Sequence, residues 1–60
     1  MKDLEVGDTV EHRGSGRRGV VLEVGTTWFG LPVAFVELRA PSGRMEGREI
    51  PRAALRKVDR

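Results

Sequence analysis

The residues best suited to hold a charged group lie in one glycine- and arginine-rich stretch, RGSGRRG, at residues 13–19. Arginine makes bidentate contacts with phosphate or carboxylate, so Arg13, Arg17, Arg18 and, further along, Arg39 are candidate contacts for a nucleic-acid backbone. The stretch lacks the GxxxxGK[ST] pattern of a phosphate-binding loop, and no helical pattern follows it. We expect its glycines to reverse the chain at positive φ angles. A phosphate-contacting loop, a docking surface and a simple turn all fit this stretch.

Catalytic and metal chemistry have few residues to draw on. The chain contains no Cys and no Tyr, and its single histidine, His12, cannot build an imidazole metal site alone. Ser15 and Ser42 are the candidate partners of His12 in a Ser–His–acid arrangement, but neither has the context of a nucleophile elbow. We therefore expect no catalytic residue, no metal and no cofactor, and the sequence predicts a protein that is not an enzyme.

The length of the chain bounds its organisation. Sixty residues allow one domain, which we place at residues 1–60. A chain of this size buries only roughly 60% of its unfolded surface, so it depends on good packing or on self-association. The acidic N-terminal stretch, MKDLEVGD, has no apolar segment of the kind found in signal peptides or membrane spans. We expect a cytoplasmic protein that does not bind membranes.

The charges are unevenly distributed along the chain. Residues 1–11 carry one cation against four anions, a net −3, whereas residues 39–60 carry seven cations against three anions, a net +4. Nine of the eleven cations are arginines. This composition suits phosphate binding, but a GC-rich coding sequence produces it as well.

Turn-forming residues divide the chain into five short segments of strand character. The predicted strands are residues 9–12, 20–24, 32–39, 44–50 and 56–58. Pro51 cannot continue a central strand, so residues 51–55, PRAAL, are predicted to form a single helical turn. Five short strands with such a turn before the last one predict an all-β, SH3-like barrel.

The alternation of side chains assigns two faces to the central strands. If Glu23 and Glu37 face water, the inward residues are Val20, Leu22, Val24, Ala34, Val36 and Leu38. The same period points Val21, Val33 and Phe35 outward, near Trp28 and Phe29 in the loop between the strands. These five residues form the predicted partner-binding surface, which is large for such a small chain. Alternatively, Trp28 or Phe29 folds over an open end of the barrel.

Residues 6–24, VGDTVEHRGSGRRGVVLEV, resemble the opening of Tudor-like and KOW-like SH3 barrels, where a VGDxV strand precedes a Gly-containing loop and a GxV strand. They are similar to the C-terminal domain of PcrA/UvrD-type helicases, although the loop here is one residue longer. They also resemble the N-terminal RNA polymerase-binding domain of CarD-type regulators, whose late proline-led segment is matched by residues 50–58, IPRAALRKV. The resemblance implies a non-enzymatic module that docks on RNA polymerase or nucleic acid in transcription or repair.

A second resemblance supplies the alternative function. Residues 7–10, GDTV, and 51–55, PRAAL, are similar to the ends of plasmid-encoded type II dihydrofolate reductases, which assemble as tetramers around a pore. Those enzymes carry a VQIY pore segment before the proline, whereas residues 47–50 here read GREI. The glutamine and tyrosine that bind cofactor and substrate are absent. This resemblance therefore implies a self-associating, tetrameric barrel without the reductase pore residues.

Overall fold

A computed structural model describes residues 4–58, which form one five-stranded antiparallel sheet. The elements are β1 (Thr9–His12), β2 (Arg18–Thr26), β3 (Pro32–Arg39), β4 (Met45–Pro51), a 3-10 turn (Arg52–Ala54) and β5 (Leu55–Lys57). The order across the sheet is β4-β3-β2-β1-β5. The prediction of an all-β chain with five strands and a short helical turn before the last is confirmed. Within the described residues the sheet is open, with β4 and β5 at its two ends.

A β-bulge in β2 exchanges the inward and outward positions of that strand. The pairing of β2 with β3 shifts register between Val21 and Glu23. Val21 is fully buried, whereas Val20 and Leu22 are 39% and 44% exposed. The prediction that Val21 points outward and that Val20 and Leu22 point inward is therefore wrong. A bulge places one extra residue in one strand, so the alternation counted from Glu23 fails for the residues before it.

The third strand keeps the alternation that the sequence predicts. Its buried residues are Ala34, Val36 and Leu38. On the opposite face, Phe35 is exposed and Val33 is half-buried. Beyond the bulge, Val24 pairs with Ala34 and so lies on the inner side as predicted, but it remains largely exposed because the core ends there.

The core of the described residues is built from aliphatic side chains alone. Its members are Leu4, Val10, Val21, Ala34, Val36, Leu38, Ile50 and Leu55. The three aromatic residues of the chain, Trp28, Phe29 and Phe35, all lie on the surface, 95%, 62% and 43% exposed. Aromatic side chains bury more area than any others and usually dominate small cores. Their position outside this core makes the aromatic surface a feature that packing within the chain does not explain.

The loop between β1 and β2 reverses through one of its glycines. Gly16 has a φ of 75°, and its amide donates to the His12 carbonyl at 2.7 Å. The amide of His12 donates in turn to the Arg17 carbonyl at 2.8 Å. The predicted role of the glycines in the reversal is confirmed at Gly16. Gly19 has a different role, because it lies buried within β2 against the backbone of β3.

Candidate functional site

The most exposed apolar surface is the end of the β2–β3 hairpin, which we call the aromatic tip and define as Trp28, Phe29 and Leu31. Backbone hydrogen bonds close this end tightly. The Thr27 amide donates to the Leu31 carbonyl at 2.9 Å, and the Gly30 amide donates to the Thr27 carbonyl at 2.9 Å. The Leu31 amide also donates to the Thr27 hydroxyl at 3.0 Å. The tip is therefore held by its own turn rather than by contact with the core.

The turn explains why two large aromatic side chains project from the sheet. Gly30 adopts a φ of 89°, which allows a three-residue hairpin loop of the type I turn plus bulge kind. Trp28 and Phe29 occupy the first two loop positions, whose side chains lie beyond the last cross-strand pair. Their ring centroids are 5.2 Å apart with planes at 85°, an edge-to-face arrangement. Trp28 thus packs on Phe29 and does not fold over the core.

The residues on either side of the aromatic tip in the sequence carry no charge. Residues 24–36, VGTTWFGLPVAFV, contain no acidic or basic residue. A cleft of about 360 Å³ opens beside the tip; it is lined by Leu4, Val24, Gly25, Thr26, Pro32, Val33, Ala34 and Arg52. Sequence reasoning missed Leu31 and this cleft, although the long uncharged run was a signal for both. The tip and cleft together offer an apolar surface with a recess next to it.

The other predicted partner-binding residues lie in three different settings. Phe35 is on the outer face of β3 between two glutamates, one on each neighbouring strand. Its ring lies over Gly47, where an added Cβ would approach the Phe35 Cζ to 2.9 Å. Val33 shares that outer face and is half-buried. Val21 belongs to the core, so its assignment to a binding surface is wrong.

The four predicted nucleic-acid-binding arginines lie at the opposite end of the sheet from the aromatic tip. Arg13 and Arg17 belong to the β1–β2 loop, Arg18 begins β2, and Arg39 ends β3. β2 contains nine residues, so at about 3.3 Å per residue its ends are about 26 Å apart. The structure therefore brings the arginines together with one another but not with the aromatic residues. None of these four arginines lies beside Trp28.

Acidic side chains offset part of the positive charge at the arginine end. Arg17 Nη1 lies 3.5 Å from Glu46 Oε1 on β4. Arg56 donates a hydrogen bond to Glu11, and this bond lowers the pKa of Glu11 below its ordinary value. The charge of Arg18 lowers the pKa of Glu11 further. Arginines at this end thus act partly as structural ion-pair partners, Arg56 between the neighbouring strands β5 and β1 and Arg17 between the β1–β2 loop and β4.

The single histidine contacts one of its two candidate serines. His12 Nδ1 and Ser15 Oγ lie 2.9 Å apart and share a hydrogen bond. Ser15 Oγ also accepts from the Arg17 amide at 3.3 Å. Because His12 ends β1 and Ser15 and Arg17 follow it in the loop, the hydroxyl closes the loop around Gly16. This local role accounts for the His–Ser contact without a chemical step.

Two features are absent from residues 4–58, a metal-binding cluster and a membrane-spanning helix. Between residues 4 and 58, His, Asp and Glu side chains form no group of three or more that could hold a metal ion. The described chain also has no helix of the length and apolar character needed to cross a bilayer. The surface features that remain are the aromatic tip with its cleft, the arginine end and the edges of the open sheet.

Comparison with known proteins adds no relative to this picture. No family model, no curated protein and no solved structure matches the chain. The resemblances to helicase, CarD-type and reductase barrels therefore rest on their short motifs alone. The functions and partners that these resemblances imply remain predictions.

Proposed function

We propose that the protein is a non-enzymatic docking module that binds a protein partner through the aromatic tip. The observation that carries this proposal is the exposure of Trp28 and Phe29, 95% and 62%, beside a core that, over residues 4–58, contains aliphatic side chains only. Tryptophan is the residue most enriched among interface hot spots, because it buries a large area at a small cost in side-chain entropy. The closed hairpin loop fixes the backbone of both residues before binding, which reduces the cost of ordering them further.

The charge distribution favours a protein partner over a nucleic acid at this tip. Single-stranded nucleic acids bind where aromatic platforms lie beside cations that contact the phosphates. Residues 24–36 supply no cation, the cleft beside the tip has Arg52 alone among its lining residues as a cation, and the arginine end lies about 26 Å away along β2. An apolar recess on a protein surface matches Trp28, Phe29 and Leu31 better than a phosphate backbone does. RNA polymerase, the partner that the CarD-type resemblance implies, is the first candidate to test.

The proposed fold of this curled sheet is an SH3-like barrel of the Tudor or KOW kind, in a protein that acts in the cytoplasm. Three features support the proposed fold: the strand order, the 3-10 turn before β5 and strong curling of the sheet. The curling is visible where His12 of β1 and Ile50 of β4, three strands apart in the sheet, line one cleft of about 320 Å³. Such curling leaves the β2–β3 hairpin projecting from the body of the fold.

The proposal is tested by comparing the affinity of three forms of the protein for purified RNA polymerase. Replacing Trp28 and Phe29 together by alanine should weaken binding by about 30-fold or more, since hot-spot truncations cost about 2 kcal/mol or more. Replacing Arg17 and Arg18 by alanine is the matched control at the other end of the molecule, and it should change the affinity less than about threefold. Equal affinities for the parent and the aromatic double variant would refute the site.

The arginine end supports a second candidate function, contact with a nucleic-acid backbone. Arg13, Arg17, Arg18 and Arg39 share this end of the sheet, and Arg44 in the β3–β4 loop joins them there. Phosphate contacts of this kind give an affinity that falls steeply with salt. Binding of a short oligonucleotide that weakens with salt and with Arg17→Ala/Arg18→Ala, but not with Trp28→Ala, would support this function. An affinity that is insensitive to both salt and the arginines would exclude it.

A further inference from the structure

The two edges of the open sheet differ in length, and only one is suited to pairing with another strand. β5 has three residues, whereas β4 has seven, Met45–Pro51. Very short edge strands are one way in which proteins block edge-to-edge pairing. Residues 45–49 are all exposed, and no other strand of the described chain pairs with the outer side of β4. Of the two end strands, β4 therefore has the edge that is open to an added strand.

The turn between β3 and β4 determines which backbone groups of β4 face outward. The Ala40 amide donates to the Arg44 carbonyl at 2.7 Å, so this pair is a hydrogen-bonded one. Hydrogen-bonded and non-bonded pairs alternate along an antiparallel ladder. With the observed register, the even-numbered residues of β4 bond to β3. The amides and carbonyls of Met45, Gly47 and Glu49 therefore point to the free edge.

The sequence of this edge is self-complementary in one register. When two copies of β4 run antiparallel with Gly47 opposite Gly47, residues 45–49 of each copy are fully paired. Met45 then faces Glu49 of the second copy, so every outward-pointing amide and carbonyl has a partner. Glu46, whose carboxylate also lies 3.5 Å from Arg17 of its own chain, faces Arg48 of the second copy, and Arg48 faces the second copy's Glu46. A shift that centres the pairing on Glu46 or on Arg48 instead places two like charges opposite each other, which is unfavourable.

The outer face adds apolar contact to the same register. The Phe35 ring lies over Gly47, which has no side chain to displace it. Paired strands lie about 4.8 Å apart, so two facing Gly47 residues bring the two Phe35 rings together. Phe35 is 43% exposed in the single chain and would become covered. The direction of the backbone amides and carbonyls, the opposite charges and the burial of Phe35 therefore all favour the register with Gly47 opposite Gly47.

We propose that the protein forms a twofold dimer in which β4 pairs antiparallel with β4 of a second copy, with Gly47 on the axis. The dimer is a continuous ten-stranded sheet whose two aromatic tips point in opposite directions. It does not depend on the proposed docking function, because the tip is not part of the interface. Exposed ion pairs and one pair of strands make a modest interface, so the dimer dissociates on dilution.

A charge-swap experiment tests the pairing. Glu46→Arg places arginine opposite arginine in its own dimer, and Arg48→Glu places glutamate opposite glutamate. Each variant alone should raise the dissociation constant of the dimer by at least about tenfold in sedimentation equilibrium. An equimolar mixture of the two restores both opposite-charge pairs and should recover a heterodimer of twice 6.7 kDa. Glu23→Arg, the same charge change away from the β4 edge, is the control and should dimerise like the parent.

The outcomes separate the proposal from its competitors. Recovery of the dimer on mixing supports β4 pairing, and it also shows that both variants are folded. A parent protein that stays monomeric up to millimolar concentration overturns the proposal. So does a dimer that both charge variants leave intact, or a dimer that Trp28→Ala dissociates, since the interface would then lie elsewhere. A stable tetramer would overturn it in favour of the reductase-like assembly.

Discussion

Replacing Gly19 by alanine tests the close approach of β2 to β3. Gly19 is buried opposite Leu38, and an added Cβ would lie 2.2 Å from the Glu37 carbonyl oxygen. Real Cβ atoms essentially never approach a neighbour closer than 3.0 Å, so the backbone of β3 must move by about 0.8 Å, the difference between the two distances. The same Cβ would also meet the Leu38 Cδ2 at 2.9 Å. The clash is with backbone, which cannot rotate away as a side chain can.

The expected cost is large for so small a chain. Overpacking typically destabilises by about 1–3 kcal/mol, and we expect about 3 kcal/mol because the clash falls on a paired backbone. A 60-residue domain has about 3–9 kcal/mol of stability in total. At about 4–8 °C per kcal/mol, the melting temperature should fall by about 12–24 °C.

The assay is thermal and urea unfolding followed by far-UV circular dichroism. The emission of Trp28 is a poor reporter of unfolding because the side chain is already 95% exposed in the folded chain. Gly25→Ala in the same strand is the matched control: nothing lies within 4 Å of its added Cβ, and its φ is not positive. Its stability should change by less than about 1 kcal/mol. Equal stabilities of Gly19→Ala and Gly25→Ala would refute the packing described for β2 and β3.

Four further substitutions test other parts of the structure by the same unfolding assay. Val21→Ala should lower the free energy of unfolding by about 2 kcal/mol, and Val20→Ala should lower it by less than about 1 kcal/mol. A larger loss for Val20→Ala than for Val21→Ala would contradict the position of the bulge. Because Arg56 lowers the pKa of folded Glu11, its ionised form stabilises the fold at neutral pH, and this stabilisation is lost as the pH falls below 4.5. Glu11→Gln should therefore remove part of the stability loss on acidification, and an unchanged pH profile would contradict the ion pair. Gly30→Ala should cost about 1 kcal/mol because φ is 89° there, and a neutral effect would contradict the hairpin geometry.

Local chemistry explains how much of the fold could be predicted from the sequence. Glycine and proline predicted the turns and a helical turn at residues 51–55, because their backbone preferences act without help from the rest of the chain. The 3-10 turn is shorter, Arg52–Ala54, because Pro51 ends the edge strand β4 and Leu55 begins β5. The alternation in β3 was also correct. The bulge between Val21 and Glu23 could not be predicted, because it depends on how β2 pairs with β3 over their whole length. One inserted residue was enough to reverse the assignment of Val20 and Val21.

The candidate site was predicted in composition but not in arrangement. Trp28 and Phe29 stood out as aromatic residues in a loop, and their exposure agrees with a surface role. Their separation from Arg17 and Arg18 follows from the length of β2, which runs to nine residues where five were predicted. The self-complementary edge of β4 was also missed, since it becomes visible only when the strand order leaves that edge free.

The most direct test of the central claim uses the single tryptophan of the chain, which lies in the aromatic tip. The measurement is acrylamide quenching of Trp28 in protein bound to an RNA polymerase preparation whose own tryptophans are replaced by a non-fluorescent analogue. Docking through the tip should bury the indole, so its emission should shift to the blue and become protected from the quencher. Emission and quenching identical to those of the unbound protein, at saturating polymerase, would contradict docking through the tip.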